Sequence, residues 1–431
     1  MAAAPPPPLL VAVHMGYGHL RAASALSSAL SVPVLEADAP PLSGPEDLPT
    51  WHRLRALYES LSRGTEAPLA GPAMRGLLNR ITSIPRLGPR GSQSKANASC
   101  RYLGSLIRKG FCGSLVTHLR TAKAPLLTTF YAPAVVADAA GLSPVTCVVT
   151  DSDVNRVWAP AETAATRIHF CVPTRRAERR LLAYGVPAAR VERTGFPLPP
   201  ALVGEGDEAL RRNLAARLRR LDPSGAFRAG AGPEAGRLMD GADPSEAALP
   251  PRAVFAVGGA GAQRRFGAAL LGSFAPLVAK GALRLTLVAA TRRDARGAFE
   301  RATRKNGLTD RLGHGLEVLF EETVEAYLGR FDAAIAGTDV LWTKPSELTF
   351  YAALGLPLVF SPSIGAQEDA NRAWAVRRGA ALSSPPPREA AEWLLARLLD
   401  GSLARAAWAG YRRLPAGGTG RILAAASSRH E

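Results

Sequence analysis

The apolar positions of this chain fall into two kinds of block. Compact runs lie at 9–13, 31–35, 125–130, 145–150, 169–172 and 191–195 in the first half, and at 252–257, 283–290, 317–320, 340–342 and 357–360 in the second. Runs this short, bounded by Gly, Pro and polar residues, predict buried strands. Longer stretches compatible with helices separate them, at 20–30, 51–62, 100–119, 132–140, 174–184, 208–221, 263–279, 323–331, 345–355 and 388–412. The alternation predicts an α/β protein made of two Rossmann-like βα domains. It lapses at 222–251, where Gly, Ala and Pro dominate and periodicity fades, which predicts a flexible insertion. The expected organisation is a domain at 1–200, a linker with that insertion at 201–251, a second domain at 252–385 and closing helices at 386–431.

Polar chemistry gathers where the strands end. Run 9–13 leads into His14-Met15-Gly16-Tyr17-Gly18-His19, whose glycines let backbone approach a ligand. The spacing is not GxGxxG, so a dinucleotide fingerprint is not supported. His19 reads either as a group at a ligand site or as a capping or packing histidine. Run 145–150 ends at Thr150-Asp151, which makes Asp151 or Asp153 a candidate base, with an Asx turn as the structural alternative. Run 252–257 leads to Gly258-Gly259-Ala260-Gly261 and then a helix, an arrangement that brings N–H groups to a diphosphate. After run 340–342 the chain turns at Thr343-Lys344, with Pro345 expected at the first helical position and Ser346 and Glu347 in the first turn. A polar loop with Gln367, Glu368, Asp369 and Asn371 follows run 357–360.

The order strand, helix, Gly-Leu-Pro (355–357), strand and Gln-Glu-x-x-Asn (367–371) resembles the donor half of the GT-B glycosyltransferases. In this order the chain is similar to MurG and the monogalactosyldiacylglycerol synthases, of glycosyltransferase family 28. Val-Thr-Asp (149–151) with Trp158, Tyr-Gly-Val-Pro (184–187), Thr-Gly-Phe-Pro (194–197) and the 258–261 turn follow that family's order. The resemblance implies two Rossmann-like domains facing across a cleft, with the last helix crossing back to the first domain. It implies transfer of a sugar from a nucleoside diphosphate, UDP by kinship, to a lipid or other hydroxyl, with inversion, no metal and no cofactor beyond the nucleotide-sugar substrate. His19 and Asp151 would be catalytic, and His14, Gly16 and Gly18 would border the acceptor. Gly258, Gly259, Gly261, Thr343, Lys344, Ser346 and Glu347 would line the nucleotide, and Gln367, Glu368 and Asn371 the sugar. Two positions depart from the pattern. The family's ribose-binding Glu falls on Phe350, with Glu347 about one turn nearer the helix start, and Asn155-Arg156 stand where family members carry a His. A nucleotide-sugar 2-epimerase on the same fold, or a non-catalytic sugar-nucleotide or nucleic-acid binder, is the alternative.

Composition adds a charge of +17 over 431 residues, which suits phosphate-bearing or anionic partners. No aromatic-basic platform is evident, so nucleic acid is not the expected partner. The stretch 69–90 carries Arg75, Arg80, Arg86 and Arg90 and no acid, the composition of a segment that lies on an anionic membrane surface or of a helix packed on the core with solvated arginines. Cys100, Cys112, Cys147 and Cys171 show neither CxxC spacing nor a His cluster, which argues against zinc and a disulfide framework. The Pro-broken start lacks a charged leader and no apolar run nears ~18 residues, so a cytoplasmic protein, peripheral on the inner membrane face, is expected.

Overall fold

The computed structural model describes residues 6–64, 76, 83–258, 263–363 and 365–428. The chain forms two compact units. One comprises Met1–Pro199, Gly365–Ala370 and Gly417–Glu431, the other Pro200–Ile364 and Asn371–Ala416. Two segments from later in the chain thus group with the N-terminal unit.

The N-terminal unit holds six parallel strands: β1 (Leu9–Ala12), β2 (Val34–Glu36), β3 (Leu126–Thr128), β4 (Val145–Val148), β5 (His169–Val172) and β6 (Val191–Arg193). Their order is β2-β1-β3-β4-β5-β6. The chain runs outward from β1 in both directions, so the order reverses between β1 and β3, where such sheets open a ligand crevice at their carboxyl ends. Strands β3, β4 and β5 are buried throughout, which explains their continuous apolar runs. The expected helix 100–119 is two helices, Ala98–Arg108 and Gly113–Ala122. Cys112 breaks them in a left-handed conformation, and its N–H donates to the Asp47 carboxylate at 2.9 Å. Helix Gly418–Ser427 completes this unit. A Cβ on Gly418 would come within 2.0 Å of the Phe196 carbonyl, so only glycine permits this approach. Thr419 Oγ1 donates to the Leu198 carbonyl at 2.7 Å.

The C-terminal unit holds β7 (Arg252–Ala256), β8 (Arg284–Ala290), β9 (Leu316–Phe320), β10 (Val340–Thr343), β11 (Leu358–Phe360) and β12 (Ala381–Ser383). These strands are also parallel, in the order β12-β11-β10-β7-β8-β9, so the reversal lies between β7 and β10. The stretch 222–251 is a correction to the expected flexible insertion. It forms helices Ala226–Gly230, Pro233–Asp240 and Pro244–Ala247. Helices this short need few apolar residues to anchor them. Phe227, Ala235 and Met239 enter the core beside Leu214 and Leu218, Pro233 and Pro244 start two of the helices, and Asp222 accepts from the N–H groups of Phe227 and Arg228.

Among the described residues no helix is long and apolar enough to cross a membrane. Most of the arginine-bearing stretch 69–90, including Arg75 and Arg80, lies outside the described residues, whereas Arg86 and Arg90 are exposed.

Candidate functional site

In the N-terminal unit the candidate residues assemble at the β1/β3 reversal. Gly16 caps helix Tyr17–Leu30 with φ 121°, a conformation that side-chain-bearing residues rarely adopt. Gly18 and His19 therefore stand in the first helical turn, three residues earlier than periodicity suggested. The Asp38 carboxylate, buried after β2, accepts from the His14 N–H at 3.0 Å and is held by Arg55. His19 Nδ1 lies 2.8 Å from the Thr129 carbonyl just after β3. A carbonyl can only accept, so in the neutral ring Nδ1 carries the proton and Nε2 the basic lone pair. Thr129 Oγ1 donates to the His19 carbonyl at 2.9 Å, and Thr150 Oγ1 stands 3.2 Å from His19 Nδ1. The ring also packs edge-on against Phe130 at 4.7 Å and near Trp158 at 6.1 Å. Beside them, burial first and then Cys100 push the Tyr131 phenol up to about 12, so it stays protonated.

Thr150 brings the β4 segment to His19, and the half-buried Asp151 is the next residue. Asp153 is excluded as a base. It is fully buried, receives Arg180 through two hydrogen bonds at 2.8 and 3.1 Å, and takes a third from Arg176 at 2.5 Å. Arg180 also donates to Gln93 and to the Pro85 carbonyl. Arg156 is buried and donates to the carbonyls of Ser94, Ala159, Pro160 and Ala161. Both arginines are structural staples for the 85–94 loop.

In the C-terminal unit Gly258 and Lys344 meet at the β7/β10 reversal. A Cβ on Gly258 would lie 2.3 Å from Lys344 Cε and 3.2 Å from its Nζ. The lysine stem thus lies across the glycine and brings its ammonium to the carboxyl end of β7. Gly259 and Gly261 lie outside the described residues. Gly258→Ala is expected to push Lys344 aside with little cost to folding, because a flexible side chain yields. The melting temperature should stay near that of the wild type. Thermal unfolding checks this, and a large drop would mean that the Lys344 side chain cannot move away.

The helix expected from Pro345 differs in kind. It starts at Glu347, runs to Leu354 and is 3₁₀. Both ends are clamped by side chains. Buried Asn371 donates to the Pro345 and Ser346 carbonyls, and buried Arg217 donates to those of Leu354 and Gly355. Burial lowers the Arg217 pKa to about 10, so it remains a cation at neutral pH. In a 3₁₀ helix residues three apart eclipse, so Glu347 stands above Phe350 on one face, ~6 Å nearer the start. Phe350 itself is buried against Trp374 at 5.1 Å. Gln367 and Glu368, expected on a loop, occupy the first turn of helix Ala366–Val376 and are half-buried. Asn371, expected on the sugar, is enclosed and instead fixes the turn that carries Ser346 and Glu347. Thr343 is buried at the end of β10.

Both six-stranded sheets with flanking helices agree with solved structures of one architecture. A Listeria monocytogenes protein assigned as a candidate UDP-N-acetylglucosamine 2-epimerase superposes with a TM-score of 0.50 at 10% identity, over 98% of this chain and 97% of that one. MurG of Acinetobacter baumannii gives 0.47 at 13% identity, over 98% and 100%. MnaA of S. aureus, solved with UDP, gives 0.48 at 11%, over 96% and 94%. The fold is GT-B. No protein-family model and no curated protein matches the chain in sequence. Gln263, which the sequence did not flag, precedes helix Arg264–Ala279 with φ 71°, accepts from Ser361 Oγ and donates to the Pro362 carbonyl.

Proposed function

We propose that this GT-B protein transfers a sugar from a nucleoside diphosphate, UDP by kinship, to an acceptor hydroxyl. The observation that carries the reading is the approach of Lys344 across Gly258 at the β7/β10 reversal, a cation on a turn suited to a diphosphate. Glu347, eclipsed with Phe350, supplies a carboxylate on the face from which the family reads ribose. Gln367 and Glu368 read the sugar. His19, with its proton held on Nδ1, removes the acceptor proton at Nε2 as the acceptor oxygen bonds to the anomeric carbon. The bond to the diphosphate breaks with its electron pair on the leaving oxygen, so one displacement inverts the centre. Asp151 is the second candidate for this proton. Exposed Arg86 and Arg90 suit an acceptor offered on an anionic surface.

Gln367→Ala is expected to weaken a UDP-sugar ~10-fold while sparing UDP, read by titration with both ligands. Equal loss for the two would remove Gln367 from the sugar. A UDP-sugar 2-epimerase is the second reading, favoured by the likeness to the Listeria protein. Proton NMR of UDP-sugars incubated without acceptor separates the two. Inversion at C2 supports the epimerase, and consumption only when an acceptor is added supports the transferase.

A further inference from the structure

Strand β9 ends its sheet, and among the described residues β8 is its one neighbouring strand. The Gly315 carbonyl accepts from the Leu285 N–H, and the Glu321 N–H donates to the Ala290 carbonyl. Odd-numbered residues of this stretch therefore turn their backbone toward β8, and alternation turns that of Leu316, Val318 and Phe320 outward. The Leu316 carbonyl is used within the chain, by the Gly313 N–H at 2.9 Å. Val318 and Phe320 form the open edge. A groove of about 380 Å³ lies beside it, lined by Arg296, Glu300, Leu312, Leu316, Val318 and Phe320. Leu312 is 39% exposed there. Arg296 lies over the Phe320 ring at 4.9 Å and donates to Glu300 at 2.7 Å. Both stand on helix Arg293–Lys305, which packs on β8 and β9.

We propose that this edge joins a second copy of the chain, β9 to β9 and antiparallel about a twofold axis at Leu319. That register sets Val318 of each copy opposite Phe320 of the other, a β-branched residue against an aromatic one, and pairs their outward N–H and C=O groups. A strand adds at about 4.8 Å, so the two copies of helix Arg293–Lys305 come to lie two such spacings apart, at the upper end of the about 8–10 Å common for packed helices. These helices run antiparallel, so Arg296 of each copy faces Glu300 of the other. An Arg–Glu doublet of this kind complements itself under a twofold, which is why the occupant is a second copy. On the opposite face Glu317 falls across from Glu321 of the second copy. Arg330 receives both acids within its own copy at 2.5 and 2.7 Å and offsets part of that repulsion. The pairing turns two six-stranded sheets into one continuous sheet and does not depend on the donor-site reading.

Sedimentation equilibrium over a range of concentrations tests this. The wild type should pass from monomer to dimer as concentration rises. Arg296→Glu sets an acid against Glu300 of the second copy, and Glu300→Arg sets a cation against Arg296. Each should weaken association at least ~100-fold. An equimolar mixture of the two variants should associate about as well as the wild type, because opposite charges again face each other at both contacts. Val318→Pro deletes an outward N–H and keeps the ladder to β8, so it should give a monomer with a melting temperature near that of the wild type. It covers the case in which a charge variant fails to fold. A wild type that stays monomeric at every concentration overturns the pairing and leaves the edge to a different chain. A dimer that neither the charge variants nor Val318→Pro weaken places the contact elsewhere and also overturns it. A mixture no better than its components overturns the antiparallel register.

Discussion

His19→Ala is expected to lower turnover by about 10²–10⁴-fold, the usual contribution of a general base, with donor affinity unchanged. The expectation follows from the Thr129 carbonyl, which fixes the proton on Nδ1 and leaves Nε2 as the basic atom. His19→Asn sharpens the test. Its amide can still donate to the Thr129 carbonyl, so the local fold is kept, yet it has no basic nitrogen. Both variants should therefore be equally slow and near wild type in melting temperature. Wild-type turnover in His19→Asn would leave His19 as a packing residue and pass the role to Asp151.

The second large effect concerns folding. Asp153→Ala leaves Arg180 as a fully buried cation without its carboxylate, and removing one partner of such a pair typically costs about 3–5 kcal/mol. Urea unfolding followed by Trp fluorescence should show this loss in the N-terminal unit, where Trp51 and Trp158 are buried. Asp153→Asn should lose less, since its amide oxygen still accepts from one guanidinium. A loss below about 1 kcal/mol for Asp153→Ala would mean that the carbonyls and Gln93 around Arg180 suffice by themselves. The same substitution separates structure from chemistry, because a base at 153 would lose activity without losing stability.

The strands were legible because a parallel sheet covered on both faces makes its strands mostly apolar, as in β4 and β8. Glycine marked Gly16, whose φ of 121° excludes most side chains, and Gly258, across which the Lys344 stem lies. What failed had tertiary causes. Pro345 looked like a first helical residue, but Asn371, 26 positions away, holds its carbonyl, so the helix opens two residues later. The carbonyls that end the 3₁₀ helix 347–354 are held by Arg217, from a helix more than 100 residues earlier. Residues 222–251 lacked periodicity because helices of one or two turns carry too few positions to display it. Asp153 and Asp151 are indistinguishable in sequence, and only the burial of Arg180 tells them apart.

Helix Gly418–Ser427 has a consequence for biosynthesis. The N-terminal unit draws one of its helices, fixed by Gly418 against Phe196 and by Thr419 against Leu198, from beyond the whole second sheet. A ribosome that has finished Pro199 has not yet made that piece. At ordinary rates of about 5–20 residues per second, the segment from Gly417 emerges roughly 10–40 s later. During that interval the surface around Phe196 and Leu198 stays uncovered on the nascent chain, and the first sheet has to wait for the second to be translated before its packing is complete.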